Sequence, residues 1–306
     1  MNDRSLTYDV VCLGCCCWDV MALCDEYPAL DQKRPLGEMC EQGGGQAATA
    51  SAAIAKLGGS VAFVGRIGDD TYGANIRGAL EDVGVDVSWG LQVIPGARSQ
   101  WAFCVAEKAT GQRAIFWRAS STGGMGAVDL DRAKVVDARA VLVDGHHPAA
   151  SIAAARWAHE AGVPVVADLE RPRPDIDELF ALTTYPVLPE DFAKEWAEAD
   201  SFEEAGERLA PKTGGTLIIT LGTRGSVAFT KEGLHHQAAF LMDPVVDTTG
   251  AGDVYHGAFA LAIGQGKSLE EAMRFASAAA ALSCRALGGR AGLATADEVE
   301  ALMARG

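Results

Sequence analysis

The sequence predicts an α/β protein with a doubly wound, mainly parallel sheet flanked by helices. Short apolar runs alternate with alanine-rich stretches along the 306 residues, and glycines stand where several of the helical stretches end. This alternation is typical of parallel sheets that carry helices on both faces. With a hydrophobic content of 49%, the chain is long enough to bury one large core.

The predicted elements follow each other in strict alternation over most of the chain. Apolar, β-branched runs predict strands at residues 8–13, 61–64, 140–143, 163–167 and 216–221. Helical runs span residues 46–57, 73–83, 151–161, 254–264 and 269–286. Ligands of such sheets bind beyond the carboxyl ends of the strands, so we expect the functional residues at that edge.

Two segments break the alternation. Residues 20–40 and 93–118 lack a helical period, and residues 99–105 alternate in the manner of a strand. No linker separates these segments from the rest of the chain. We therefore expect a single domain over residues 1–306, with two β-rich insertions.

Composition excludes several classes of function. The formal net charge of −15 argues against nucleic-acid binding, which needs a basic surface. No run of 18 apolar residues is present, so no membrane span is expected. The sequence shows no secretory signal pattern, and its cysteines are spaced as buried free thiols rather than as metal-binding pairs. Both observations predict a cytoplasmic protein.

The most informative segment is Val-Asp-Thr-Thr-Gly-Ala-Gly-Asp at residues 246–253, directly before a helical run. A helix start carries free N–H groups and partial positive charge, and glycines let an anion approach them. The segment therefore suits a phosphate. Asp253 stands beside that site, where a carboxylate can accept a proton from an attacking hydroxyl. The alternative is a carboxylate that only caps the helix.

Three motifs carry a resemblance to a known family. Asp-Thr-Thr-Gly-Ala-Gly-Asp at residues 247–253, Gly-Gly-Gly-Gln-Ala-Ala-Thr-Ala at 43–50 and Gly-Arg-Ile-Gly-Asp-Asp-Thr-Tyr-Gly at 65–73 resemble the ribokinase-like (PfkB) carbohydrate kinases in order and spacing. The resemblance implies a ribokinase-like fold in which residues 20–40 and 93–118 form a small β-sheet lid. It also implies that Asp253 is the catalytic base and that Gly250, Ala251 and Gly252 form an anion hole.

The same resemblance implies ATP as the phosphoryl donor. The chain has no Gly-x-x-x-x-Gly-Lys-Ser/Thr loop, so phosphate binding is expected at the helix start. Residues 277–289 would lie over the adenine, although their spacing alone indicates a packing helix. By resemblance, the nucleotide-binding residues are Thr220, Gly222, Gly225, Thr249 and Gly289.

Cations are expected near the phosphates. Mg²⁺ is required in general to neutralise them, but Pro189 and Phe192 stand where many relatives have an Asn-x-x-Glu motif. Glu190 would then act on Mg²⁺ through water, unless it is an ordinary solvated acid at a helix start. The resemblance also implies a monovalent cation, K⁺, at Asp247 and Thr249.

Candidate sugar-binding residues come from both halves of the chain. Asp19 matches a family aspartate that accepts hydrogen bonds from sugar hydroxyls, with a loop-capping role as the alternative. The glycines before the predicted helix at residue 46 allow a close backbone approach. The lid cations Lys33, Arg113 and Arg118 would bind an anionic substituent of the sugar, and the alternative is that they are solvated surface charges. The further candidates are Lys33, Gly43, Gly44, Gly45, Gln46, Ser99, Gln100, Arg113, Arg118 and His146.

Several segments resemble two subgroups of the family. Residues 25–28 and 168–173 are similar to ketohexokinases, and residues 43–50, 255–258 and 284–292 are similar to bacterial sulfofructose kinases. We therefore predict an ATP-dependent kinase for the 1-hydroxyl of a ketose, with 6-deoxy-6-sulfofructose as the first candidate. Fructose and 2-keto-3-deoxygluconate are alternatives, and a catalytically silent sugar-binding protein is the alternative of another class. Trp101 and Phe103 in the lid predict a homodimer through the lid strands.

Overall fold

The computed structural model describes residues 6–108, 113–173 and 175–305, and the α/β prediction is confirmed. The strands are β1 (Tyr8–Leu13), β2 (Cys17–Cys24), β3 (Met39–Gly44), β4 (Val61–Gly68), β5 (Leu91–Ile94), β6 (Trp101–Glu107), β7 (Arg113–Arg118), β8 (Ala138–Val143), β9 (Val165–Asp168), β10 (Tyr185–Pro189), β11 (Leu217–Thr220), β12 (Ser226–Thr230) and β13 (Gly233–Gln237). The α-helices are α1 (Gln46–Lys56), α2 (Thr71–Glu81), α3 (Arg132–Val135), α4 (Pro148–Ala161), α5 (Ile176–Leu182), α6 (Glu190–Ala197), α7 (Phe202–Leu209), α8 (Ala251–Gly264), α9 (Leu269–Ser283) and α10 (Ala296–Met303).

One large sheet runs through the molecule in the strand order β13-β12-β11-β10-β9-β8-β1-β4-β5. From β5 to β11 every pairing is parallel, whereas β12 and β13 continue the sheet in antiparallel fashion. The central strands are covered on both faces, which explains their nearly continuous apolar sequences. Parallel pairing also brings the carboxyl ends of these strands to one edge, where the polar residues that follow them collect.

Side chains of β1 alternate between two separate cores. Val10 and Cys12 pack with Ile54, Phe63 and Phe259 under α1, α8 and α9. On the opposite face, Val11 and Leu13 join the core under α4 to α7. The period of two along a strand assigns neighbouring apolar residues to opposite faces, so one uninterrupted apolar run supplies both cores.

A second, four-stranded sheet has the order β3-β2-β6-β7 and forms the β-rich addition that the sequence predicted. Its strands begin earlier and end later than predicted, since β2 starts at Cys17 and β3 reaches Gly44. Val93 lies outside it, because residues 91–94 pair with β4 and form the edge of the large sheet. Residues 109–112 of the predicted segment 93–118 lie outside the described part of the chain.

The sequence did not predict β10, α6 or α7, and the reasons are local. Strand β10 contains two prolines, and α6 and α7 are short and polar, so none of them shows a long apolar period. Helix α9 stops at Ser283 rather than at residue 286, because the chain turns there into the glycine-containing loop 284–292. None of the helices in the described ranges combines the length and the apolar character that crossing a membrane requires. All eight cysteines are free thiols, and most of them are buried.

Helices α1 and α8 cross at very close range. A Cβ atom on Gly257 of α8 would lie 2.6 Å from the carbonyl oxygen and 2.9 Å from the Cα of Ala50 on α1. Only glycine fits at this crossing, which holds the N-terminus of α8 against the sheet. The position of Asp253, one turn before Gly257, therefore depends on this contact.

We expect Gly257→Ala to lower the free energy of unfolding by about 1–3 kcal/mol, because the added methyl group meets backbone atoms that cannot move aside. Denaturant-induced unfolding followed by circular dichroism measures the change. Gly78→Ala in α2 is the matched control, since nothing lies within 4 Å of its Cβ position. That variant should be unchanged or more stable by up to about 1 kcal/mol. Equal stability of the two variants would contradict the close-packing argument.

Candidate active site

Carboxylates collect where the carboxyl ends of β8 and β9 meet the N-terminus of α8. Asp144 directly follows β8, Asp168 ends β9, and Asp253 lies in the first turn of α8. Burial raises the pKa of Asp253 to about 8, and the negative charges of Glu170, Asp144 and Asp19 act in the same direction. A carboxylate with such a pKa is matched to proton abstraction near neutral pH.

The loop before α8 has the form of an anion site. Gly250 is the N-cap residue in a left-handed conformation with φ 76°, and a Cβ on it would lie 2.7 Å from the Cα of Gly289. Gly252 is exposed and belongs to the first turn, whose N–H groups have no partner within the helix. Ala251 differs, because its N–H already donates to the carbonyl of Thr248 at 3.2 Å. The open donors of the expected anion hole are therefore those of the turn after Ala251.

Asp247 holds this loop in shape. One carboxylate oxygen accepts from the backbone N–H of Thr249 at 2.9 Å and from its hydroxyl at 2.8 Å, and the other accepts from the N–H of Gly288 at 2.8 Å. Asp247 and Thr249, the expected cation-binding residues, are thus hydrogen-bonded to each other, and Asp247 is also bonded to the loop that contains Gly289. No group of three or more His, Cys, Asp or Glu side chains within the described ranges could hold a metal ion.

Asp144 is a structural carboxylate that the sequence did not reveal. It is 1% exposed and accepts hydrogen bonds from the N–H groups of Cys15 at 2.6 Å, Ala47 at 3.2 Å and His146 at 2.8 Å. The carboxylate fills the space beside Gly14, where a Cβ would lie 2.1 Å from the Asp144 Cγ. Asp144 therefore occupies the N-terminus of α1 and joins it to the ends of β1 and β8.

A buried pair lies one helical turn below Asp253. The Nδ1 atom of His256 is 3.3 Å from the Oδ2 atom of Asp168, and both side chains are almost fully buried. Burial lowers the pKa of His256 to about 4 and raises that of Asp168 well above its usual range. The Gln46 side chain opposes the rise in the pKa of Asp168, which places this predicted sugar ligand beside the pair.

Asp19 lies inside β2 and points over the glycines of β3. Its Oδ2 atom occupies the space beside Gly44, 1.8 Å from the position of a Cβ there, and burial raises the pKa of its carboxyl. Gly43 meets the Arg290 guanidinium in the same way, at 2.3 Å from Nη1. Gly45 caps α1 with φ 90°. Gly43 and Gly44 thus make room for the side chains of Arg290 and Asp19 on this surface.

The other predicted sugar ligands differ in their availability. The Ser99 hydroxyl donates to Asp70 at 2.6 Å and accepts from the N–H of Gly68 at 2.9 Å, so it fixes the start of α2 and has no free donor. Gln100 donates to the Cys15 sulfur at 3.3 Å, close to the Asp144 cluster. The Nδ1 atom of His146 is buried and has no partner.

Lys33, Arg113 and Arg118 do not converge. Lys33 lies on an exposed loop. Arg113 and Arg118 stand at opposite ends of β7, and an odd spacing of five places them on opposite faces of the strand. Arg113 reaches the Thr248 hydroxyl at 3.4 Å, whereas Arg118 pairs with Trp101 at the other end. Register along the strand therefore separates these cations.

The predicted nucleotide turn follows β11. The Thr220 hydroxyl donates to the carbonyl of Leu188 at 3.5 Å, and Gly222 and Gly225 adopt left-handed conformations with φ 59° and φ 94°. Glu190 forms ion pairs with Arg224 and, at 3.7 Å, with Lys194. The charge of Glu190, the residue expected to act on Mg²⁺ through water, is thus already balanced by Arg224 and Lys194.

Comparison with known proteins places the chain among sugar kinases. The sequence profile of the pfkB family carbohydrate kinases matches residues 7–296. An ATP-dependent ribose-1-phosphate kinase of Halopiger xanaduensis is 29% identical over 287 residues, covering 94% of this chain and 95% of the relative. A ketohexokinase of Mus musculus is 25% identical over 292 residues, covering 90% and 95%.

Solved structures share the whole fold. A structure from Agrobacterium tumefaciens superposes with a TM-score of 0.91 at 28% identity and covers 97% of this chain and 98% of that chain. The ribokinase of Arabidopsis thaliana, complexed with ribose and ATP, superposes with a TM-score of 0.83 at 27% identity, covering 97% and 99%. The ribokinase-like architecture predicted from the motifs is therefore confirmed.

The raised pKa of Asp253 predicts a pH-dependent gain in stability for Asp253→Asn. The folded protein keeps the proton up to about pH 8, whereas an unfolded Asp loses it near pH 4. Ionisation therefore costs folding free energy as the pH rises between these values. We expect the variant to melt at least about 2 °C above the wild type near pH 8.5, and at the same temperature as the wild type near pH 4.

Thermal scans across this pH range test the expectation. The control is Asp191→Asn, whose side chain is 99% exposed, and it should follow the wild type at every pH. A constant difference between Asp253→Asn and wild type across the range would show that Asp253 does not titrate as described.

Proposed function

Because the chain belongs to the pfkB family of carbohydrate kinases, it is a phosphotransferase with an alcohol acceptor, and we propose that it phosphorylates the 1-hydroxyl of a ketose at the expense of ATP. The observation that supports this most directly is Asp253, a half-buried carboxylate with a raised pKa beside an exposed helix start. Family membership removes the alternative of a catalytically silent sugar-binding protein.

In the proposed reaction, Asp253 accepts the proton of the sugar hydroxyl. The hydroxyl oxygen then forms a bond to the γ-phosphorus of ATP while the bond to the leaving ADP oxygen breaks. N–H groups of the first turn of α8, at Gly252 and Asp253, stabilise the charge on the transferred group. Each well-placed donor of this type contributes about 3–4 kcal/mol to the transition state.

We place the nucleotide between the turn at residues 220–225 and the start of α8. Mg²⁺ suits this arrangement, because it keeps several waters and binds the substrate phosphates rather than a protein cage. The ion neutralises phosphate charge during the transfer. Glu170 is half exposed, lies 3.7 Å from Arg171 and acts electrostatically on Asp253, whereas Glu190 is paired with Arg224 of the nucleotide turn. We therefore infer that Glu170, rather than Glu190, holds Mg²⁺ through water.

A potassium ion at Asp247 and Thr249 stays a prediction. Because the Asp247 carboxylate already accepts three hydrogen bonds, such an ion would depend mainly on carbonyl oxygens of this loop. A cytoplasmic location, where ATP and sugar are both present, also stays a prediction.

Our proposed acceptor is an anionic ketose, with 6-deoxy-6-sulfofructose as the first candidate. Three buried nitrogen atoms beside the turn at Asp144 have no hydrogen-bond partner among the described residues, namely Nδ1 of His146, Nδ1 of His147 and Nη2 of Arg173. The Arg173 charge acts on both imidazoles, so the three groups are close to one another. Nitrogen donors of this kind suit a sulfonate. We therefore assign the anion site to these three groups and not to the lid cations, which do not converge.

The relatives support both parts of this assignment without identifying the sugar. The Halopiger kinase acts on a phosphorylated, and therefore anionic, sugar, and the mouse enzyme is named for a ketohexose. Fructose and 2-keto-3-deoxygluconate are the alternatives within the same reaction. Arg173 favours an anionic acceptor over fructose.

We expect ADP release with Mg-ATP to be fastest with 6-deoxy-6-sulfofructose, ahead of fructose, 2-keto-3-deoxygluconate, ribose and adenosine. A coupled assay of ADP measures the ratio of kcat/KM for each pair of sugars.

Arg173→Gln should lose about tenfold or more of the preference for the sulfonated sugar over fructose, because a charged donor is removed. Asp253→Asn should lose about 100-fold or more in turnover with every sugar. Preference for a neutral sugar in the wild type would refute the sulfonate assignment and leave the kinase mechanism in place.

We also propose that two copies associate through the small sheet. Strand β7 forms its outer edge and exposes large apolar side chains, with Phe116 at 65% and Trp117 at 58% exposure. An apolar edge strand of this kind is a surface for pairing with another chain.

Gel filtration with light scattering should therefore show a dimer for the wild type and a monomer for Phe116→Glu, because the introduced charge would be buried without a partner. Val128→Glu is the matched control. Val128 is 97% exposed but lies outside the small sheet, so its variant should remain dimeric. A monomeric wild type would refute the proposal.

A further inference from the structure

Arg290 joins the small sheet to the loop that supports the anion site. Its backbone N–H donates to Oε1 of Gln42 at 3.0 Å, and its Nη2 donates to the carbonyl of Gly44 at 3.3 Å. The preceding residue, Gly289, packs against Gly250 at the start of α8. The guanidinium is thus held between β3 and the phosphate-binding turn.

Two donors of this side chain are unused. Nε and Nη1 of Arg290 are buried and have no hydrogen-bond partner in the part of the chain that the structure describes. Asp19 and Asp253 are near enough to influence its charge, yet among the described residues neither forms an ion pair with it within 4.0 Å. Burial lowers the pKa of Arg290 to about 10, so the group is still charged at neutral pH. A buried charged donor without a partner is costly, which indicates that a ligand completes the site.

The surroundings identify the kind of ligand. Nε and Nη1 lie on opposite edges of the planar guanidinium, so they point in different directions and Nη1 is the free donor at the end of the side chain. An anionic oxygen, such as that of a phosphoryl group, is the acceptor that a charged N–H of this kind favours. Arg290 belongs to the reacting end of the site, since the preceding Gly289 packs against Gly250 and the charges of Arg290 and the expected base Asp253 act on each other. The unpartnered donors around Arg173 and His146 belong to a different cluster, beside Asp144.

We propose that Arg290 is a catalytic residue whose Nη1 atom donates to the phosphoryl group while it passes from ATP to the sugar. This inference rests on the proposed function. During the step the sugar oxygen gives its proton to Asp253, the new oxygen–phosphorus bond forms, and ADP leaves with the electrons of the broken bond. Charge accumulates on the transferred oxygens, and the guanidinium stabilises it there.

A second consequence concerns the base. Arg290 is the group that opposes the rise in the pKa of Asp253, because its positive charge favours the ionised carboxylate. Without it the base would hold its proton to higher pH, and less of the enzyme would be active at neutral pH.

Steady-state kinetics of Arg290→Gln and Arg290→Lys with the best sugar of the panel test the proposal. We expect kcat to fall about 100-fold or more in Arg290→Gln with the sugar KM within about threefold, because the contact forms mainly in the transition state. Arg290→Lys keeps the charge without the guanidinium geometry, so its kcat should lie between those of the wild type and Arg290→Gln. The acidic limb of kcat/KM against pH should shift to higher pH in the Gln variant and much less in the Lys variant.

The matched control is Arg285→Gln, which removes a positive charge from the same loop, where Arg285 forms an ion pair with Glu298. It should keep wild-type kcat and pH dependence. A raised sugar KM with unchanged kcat in Arg290→Gln would overturn the proposal in favour of sugar binding. Lost activity with a large fall in Tm, restored fully by Lys, would overturn it in favour of a structural clamp.

Failure of the proposed function would be seen separately, as a wild type that turns over no sugar. In that case, calorimetric binding of ADP with aluminium fluoride, which mimics the transferring phosphoryl group, tests Arg290 alone. We expect Arg290→Gln to weaken this complex at least about tenfold while the affinity for ADP itself is unchanged. Equal binding of the complex by both proteins would overturn the proposal.

Discussion

The Asp144 carboxylate is the interaction on which the arrangement of the site depends. It receives N–H groups from Cys15 after β1, from Ala47 in α1 and from His146 in its own turn. Hydrogen bonds to a buried carboxylate contribute about 1.5–3 kcal/mol each, so this group fixes three chain segments at one point. By occupying the N-terminus of α1 itself, Asp144 leaves the N-terminus of α8 as the open anion site.

Negative charge is concentrated beyond the strand ends, where an anionic nucleotide is expected to bind. Asp253 shares this space with Asp168, Glu170 and Asp144, and burial together with mutual repulsion keeps its proton at neutral pH. A base held near its working pH is effective, because it accepts a proton readily and is still partly ionised. The opposing positive charge comes from Arg290 on the protein side and from the cations that accompany ATP.

Glycines connect the small sheet to this charged region. Gly43 and Gly44 in β3 make room for Arg290 and Asp19, and Gly288 and Gly289 lie against Gln42 and Gly250. Side chains therefore fill the space over the glycines of β3 and over Gly288, and backbone touches backbone where Gly289 meets Gly250 at the start of α8. A rigid junction of this kind links the position of the sugar-binding sheet to that of the phosphate site, since a shift in one displaces the other.

Local features of the sequence determined the fold class and the catalytic turn. Period-two apolar runs, glycine stops and the segment 246–253 act over a few neighbouring residues, so they can be recognised without tertiary contacts. The strand positions around residues 8–13 and 140–143 and the helix that follows Asp253 were predicted for this reason. The tertiary structure alone decided which distant side chains share the site. Arg290 lies 246 to 248 residues from its partners Gly44 and Gln42, and Asp144 lies 97 and 129 residues from Ala47 and Cys15. Strand pairing likewise decided the neighbours of the two lid cations, because β7 sets Arg113 opposite Ala106 and Arg118 opposite Trp101, which chain proximity does not indicate.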